Sequence, residues 1–135
     1  MFEKKIYIRR RNLLKKRLGT RQFDWINGGI NDELAYNVFQ RLDPIINCQP
    51  DIVTILIGTN DAFATLSRTN ERHYTRTMHL PAPPTMECFE EYLTLTVKNL
   101  QQNTDAIIAL LSLPTIGEIV DHHYNRASIE YSGIV

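Results

Sequence analysis

The period of the apolar positions changes several times along the 135 residues. Residues 52–57, Ile-Val-Thr-Ile-Leu-Ile, are almost continuously apolar and mostly β-branched. That is the pattern of a strand buried on both faces of a parallel sheet. Residues 22–27, Gln-Phe-Asp-Trp-Ile-Asn, alternate and predict a shorter strand, after which Gly28 and Gly29 permit a sharp turn. Ala106 to Leu113 predicts a further apolar strand, ended by Pro114. Between these strands the period is helical. Leu34, Val38 and Leu42 recur every four residues, with Asn31 or Asp32 placed to cap, and Asp43-Pro44 bends or restarts the helix. Met86, Phe89, Leu93, Val97 and Leu100 form the stripe of a longer helix, with Thr85 as its cap and Glu87 in its first turn. Residues 8–18 are weakly helical up to Gly19, and a last helix is predicted near Tyr124. Ala62 to Pro84 is polar and proline-terminated, with a short helix predicted around Asn70 to Arg76. A connection of that length often serves as a lid or binding loop.

Helices alternating with apolar strands predict an α/β domain with a parallel sheet and right-handed crossovers. Ligands in such folds bind beyond the carboxyl ends of the strands. Three segments fall there: Asn27 to Asp32, Gly58 to Phe63, and Ser112 to Gly117.

Composition narrows the class. At 43% hydrophobic and 22% charged residues, the protein matches one ordinary globular domain. No apolar run approaches the roughly 18 residues of a membrane span, and no apolar stretch follows the first charges as in a signal peptide. Cys48 and Cys88 make no CxxC pattern and read as reduced thiols, which predicts a cytoplasmic protein. The zero net charge hides an asymmetry: residues 1–21 carry nine of the fifteen basic side chains and one acid, Glu3. This arm reads as a solvated helix face behind a disordered start over residues 1–12. The other reading is a contact with nucleic acid or an anionic surface. Its aromatics are only Phe2 and Tyr7, so no nucleic-acid partner is expected.

The sharpest local pattern is Ile57-Gly58-Thr59-Asn60-Asp61, directly after the buried strand. Gly58 lets the backbone turn tightly and leaves room for a ligand. Asn60 would present its carboxamide at the strand exit, where it can donate to a developing oxyanion. Asp61 would tie the loop down through backbone N–H groups. A plain strand-ending turn uses the same residue types.

These residues occur in a longer register. Asn27-Gly28-Gly29-Ile30-Asn31-Asp32, the helix through Arg41-Leu42, Gln49-Pro50-Asp51, Ile52 to Asp61, and Leu111 to Gly117 together resemble the SGNH/GDSL hydrolases. In that family the second block reads approximately Asn-x-Gly-Ile-x-Gly and the third Gly-x-Asn-Asp. The resemblance runs from about Leu13 to the C-terminus. It implies a three-layer, flavodoxin-like parallel sheet and hydrolysis of small acyl esters (lipase or esterase type) by a serine, histidine and aspartate, without a cofactor. It further implies that Asn60 is an oxyanion-hole amide. Gly29 matches the first glycine of the second block. Asp32 falls at the second glycine, where a backbone N–H would be the donor. Capping of the next helix is the alternative role for Asp32.

Two departures accompany the resemblance. The family's Gly-Asp-Ser is absent before residue 20, and none of the four serines (Ser67, Ser112, Ser128, Ser132) follows Gly-Asp. No histidine among His73, His79, His122 and His123 has an acid three residues before it, so Asp-x-x-His is absent too. The adjacent His122 and His123 are a poor metal-ligand set, and no metal is expected. The expectation is therefore an incomplete domain over 1–135, lacking the first strand and the C-terminal part and inactive alone. In the flavodoxin-like order the first strand lies between the second and third. Its loss would open the sheet, and exposed edges would favour a homo-oligomer or a non-catalytic, self-associating module.

Overall fold

The computed structural model describes residues 4–7, 23–115, 119 and 121–135. In sequence order the elements are β1 (Lys4–Tyr7), β2 (Phe23–Ile26), α1 (Ala35–Gln40), α2 (Asp43–Asn47), β3 (Ile52–Ile55), α3 (Thr59–Thr65), α4 (Arg68–Thr77), α5 (Met86–Asn103), β4 (Ile107–Leu110) and α6 (His123–Ser132). The helix expected at residues 8–18 lies outside the described residues.

Among the described residues the three strand pairings are all parallel, in the order β2-β1-β3-β4. This corrects the expectation of a missing first strand. Lys4–Tyr7 pairs with Phe23–Ile26 on one side and through Ile6 and Tyr7 with Ile52 and Val53 on the other. Strand pairing is a backbone property, and four residues supply enough N–H and C=O groups to bridge two neighbours. The two lysines that begin β1 disguised it, because charged residues are depleted in buried strands. With β1 in place, the sheet has no internal gap.

The rest follows the apolar periods. In β3, Val53 and Ile55 are buried while Ile52 and Thr54 are partly so, which is the two-residue alternation of a pleated strand. In α5, Phe89, Leu93, Thr96 and Leu100 are buried at helical spacing. Phe89, Leu93 and Leu100 join Ala35, Leu42, Ile45, Ala62, Leu113, Ala127 and Tyr131 in the core. Each large apolar side chain buried there contributes about 1.5–3 kcal/mol. Thr85 caps α5 as expected, its hydroxyl accepting the Cys88 N–H at 3.2 Å. The Phe89 and Tyr131 rings meet at 5.1 Å and bind α5 to α6.

The connection after β3 is more helical than expected. Most of residues 59–77 is helical, as α3 and α4. Ser67 caps α4 by accepting the Asn70 N–H at 3.1 Å. α4 is the short helix expected around Asn70 to Arg76, extended to Arg68–Thr77, whereas α3 was not expected. α4 has no buried residue and so carries no apolar stripe.

Candidate functional site

The carboxyl ends of β2, β1 and β3 lie side by side, since Tyr7 is in register with Ile26 and with Val53. The segments that leave β2 and β3 therefore meet at one edge of the sheet. From β3 the backbone passes through Gly58 into α3. From β2 it passes through residues 27–34 into α1.

Gly58 has φ +118°, a conformation that favours glycine. A Cβ there would also lie 2.8 Å from the Phe89 ring. The space left by the missing side chain is thus taken by Phe89 of α5, not by a ligand as the sequence suggested. This close approach fixes where α3 starts, and with it Asn60 and Asp61.

Asn60 faces the other segment. Its Nδ2 donates to the Glu33 backbone carbonyl at 3.0 Å, and its Oδ1 accepts from the Tyr74 hydroxyl at 3.2 Å. One amide hydrogen is thereby directed at residue 33, and the geometry of an NH2 group leaves a second. Asp61 is 4% exposed and accepts the Ala35 N–H through both oxygens, at 3.1 and 3.3 Å. Burial raises its pKa to about 7, against the backbone N–H groups of Ala35 and Asp61 that favour the ionised form. The expected loop-tying role of Asp61 is thus performed across two segments, 26 residues apart in sequence.

The 27–34 segment is built from several local devices. Asn27 Oδ1 accepts the Gly29 N–H at 3.1 Å. Among the described glycines only Gly58 has a positive φ, so Gly28 and Gly29 turn without left-handed backbone. Asp32 has φ 65°, the left-handed conformation that glycine adopts freely and aspartate tolerates. The residue that the resemblance matches to a glycine thus has a backbone that glycine favours. It does not cap α1. The cap position is Leu34, whose N–H goes to Asn37 Oδ1 at 3.2 Å, while Asp61 takes the next N–H. The carboxylate that caps α1 comes from another element because Asp32 lies two residues before the cap position.

Sequence reading missed three contributors. Glu33 is 8% exposed and forms a two-pronged ion pair with Arg41, with Arg41 Nε at 2.6 Å from Oε1 and Nη2 on Oε2. It anchors the carbonyl that receives the Asn60 amide. Asn37 Nδ2 donates to the Met78 carbonyl at 2.9 Å, tying α1 to the end of α4. Tyr74 holds Asn60 from the middle of α4. An acid after the β2 exit with a base eight residues on was the only available signal, and that spacing matches no helical pair. A cavity of about 70 Å³ runs beneath this corner, lined by Gly28, Gly29, Glu33, Arg41, Val53 and Leu100. It holds a few ordered waters at most.

Three of the serines are placed by their surroundings. Ser67 caps α4, and Ser132 Oγ accepts the Leu113 N–H at 2.9 Å. Ser128 Oγ is buried, and no hydrogen-bond partner reaches it among the described residues. The His122 ring meets Tyr124 edge-on and the His123 ring meets it at a tilt, and His122 Nδ1 accepts the Tyr124 N–H at 3.4 Å. No group of three potential metal-binding acids, histidines or cysteines occurs among the described residues. No described helix is long and apolar enough to cross a membrane.

The strand order, the exit of β3 into Gly58–Asp61 and the facing 27–34 turn define the fold of the SGNH-type hydrolases, in partial form. No protein-family model and no curated protein matches this sequence. Among solved structures it is similar to Axe2, an acetylxylan esterase from Geobacillus stearothermophilus, at 17% identity and a TM-score of 0.74, covering 98% of this protein and 69% of that one. A catalytic mutant of the same enzyme with serine replaced by alanine aligns at 18% identity and TM-score 0.74 over the same shares. One with histidine replaced by alanine aligns at 18% and TM-score 0.72. At these identities the likeness is one of fold.

Proposed function

We propose that the corner formed by residues 27–34 and Asn60 is the oxyanion-binding part of an ester hydrolase site of SGNH type, serving short acyl esters. The observation that carries this reading is the Asn60 amide at the exit of β3. It is fixed by Glu33 and Tyr74 beside the 29–32 turn and keeps a second hydrogen to donate. Such a donor acts where negative charge develops on a carbonyl oxygen, and its loss typically costs about 3–4 kcal/mol of transition-state stabilisation. In this reading Gly29 and Asp32 provide backbone N–H groups, and Gly58 and Asp61 hold the amide's helix in place. The structural neighbour is an acetylxylan esterase, which supports a small acyl group.

The reaction needs a nucleophile at the exit of β1, where the sequence after Tyr7 is Ile8-Arg9-Arg10-Arg11. It also needs an Asp-x-x-His pair, which the sequence does not contain. The neighbour's catalytic mutants replace a serine, an aspartate or a histidine. We therefore infer that this protein binds the oxyanion but does not turn over esters by itself. Two measurements test the pair of claims. The purified protein should hydrolyse a chromogenic acetate ester at the background rate, and turnover would overturn the second claim. Methylphosphonate, a tetrahedral anion, should shift the NMR signals of the Asn60 carboxamide and of the 29–32 amides, and Asn60→Ala should abolish the shifts of the 29–32 amides. Shifts spread elsewhere, or unaffected by Asn60→Ala, would overturn the first.

A second reading is favoured by the outer strand. In β4, Ile107 is 69% exposed, and Leu111 just beyond it is 46% exposed. An apolar edge strand is a template for another copy. On this reading the protein is a self-associating module that serves no ester. Light scattering after size exclusion separates the two: a monomer at high concentration removes it.

A further inference from the structure

We propose that Tyr74 is a positioning residue for the Asn60 amide, and that α4 is the strut that holds it there. This rests on the oxyanion reading of Asn60 and names what sets that group. An asparagine amide is symmetric in shape, so only its partners fix which end faces the site. The Glu33 carbonyl can only accept, which fixes Nδ2 toward residue 33. The Tyr74 hydroxyl must then donate to Oδ1. Donation to an amide oxygen draws electron density from the nitrogen. The C–N bond gains double-bond character and the remaining N–H becomes a better donor, as in any polarised hydrogen-bond network. Tyr74 thus acts on the site through Asn60 without touching it.

α4 is built to keep that hydroxyl still. Asn70 Nδ2 donates to the Phe63 carbonyl at 2.9 Å near its start, and Asn37 Nδ2 donates to the Met78 carbonyl at 2.9 Å at its end. Tyr74 stands between these two tethers. Burial and the nearby Asp32 and Asp61 carboxylates raise its pKa, so the phenol keeps its proton. The polar connection after β3 is therefore fixed to α1 and α3 at both ends, which is the opposite of a lid's construction.

The test reads the amide directly, in protein without any anion, so it can fail or succeed independently of the oxyanion reading. Rotation about the carboxamide C–N bond of Asn60 exchanges its two protons, and NMR measures that rate. Tyr74→Phe keeps the ring and removes the hydroxyl, and should speed the exchange severalfold. A 3-fluorotyrosine at position 74, a more acidic phenol, should slow it. The melting temperature should change little in either variant. Where the oxyanion reading also holds, Tyr74→Phe should weaken methylphosphonate binding severalfold. An exchange rate unmoved by either change would overturn the proposal, as would a Tyr74→Phe variant that lowers the melting temperature and leaves the rate alone. If Tyr74→Phe fails to fold, the fluorinated variant decides by itself.

Discussion

The exit of β3 and the strand β4 belong to one sheet but solve opposite problems. At the β3 exit, buried and half-buried polar groups converge and are paired across segments: Asn60 with Glu33 and Tyr74, Asp61 with Ala35, Glu33 with Arg41. At β4 there is little polar chemistry, and Ile107 and Leu111 stand exposed. Desolvated polar groups cost free energy unless they are bonded, so the first region tolerates almost no change in shape. The second is held by its pairing with β3 and tolerates substitution, but it leaves apolar surface for a partner. The proposed site thus lies where the backbone is most constrained.

The largest effect that would break this contrast is at Gly58. Gly58→Ala combines a strained φ with a Cβ 2.8 Å from Phe89. It should destabilise the fold by about 2–5 kcal/mol in urea titration. A neutral outcome would show that the corner is softer than described.

Asp61 comes next. Its folded pKa of about 7 lies above the ordinary value of 3.8, so the folded state binds the proton more tightly than the unfolded state. Its contribution favours folding fully below about pH 4 and is lost as pH rises through 7, by up to about 4 kcal/mol. Asp61→Asn should remove this dependence and leave stability flatter between about pH 4 and 7. An unchanged pH profile would show that the buried carboxyl is not the source.

Smaller changes sharpen the other side. Thr85→Ala removes the cap of α5 and should cost about 1 kcal/mol by thermal melting. Ile107→Lys on β4 should leave stability within about 0.5 kcal/mol. It should also abolish any self-association seen by light scattering. A large loss of stability at Ile107 would mean that the edge is packed after all.

Much of this architecture was legible from residues alone. The β-branched run at 52–57 and the four-residue spacing of Phe89, Leu93 and their neighbours announce β3 and α5, because apolar periods report burial. The Gly58–Asp61 pattern pointed to the β3 exit. Three things were hidden. β1 begins with two lysines, and backbone pairing leaves no mark in a charge pattern. α3 begins inside the Gly58–Asp61 pattern, whose residue types read equally well as a plain strand-ending turn. The partners of Asn60 and Asp61 lie 14 to 27 residues away in sequence, and only folding brings them together. Asp32 shows the reverse: its mismatch with a glycine position was visible, but its left-handed backbone was not.

On this account the Asn60 amide, held by Glu33 and Tyr74, offers its second hydrogen to an anion beside the 29–32 turn. A crystal structure of the protein grown with methylphosphonate tests it most directly. The expected result is an anion oxygen within about 3 Å of Asn60 Nδ2, with backbone N–H groups of residues 29–32 on the same oxygen. An anion bound elsewhere, with both Asn60 hydrogens taken up by protein carbonyls, would contradict it.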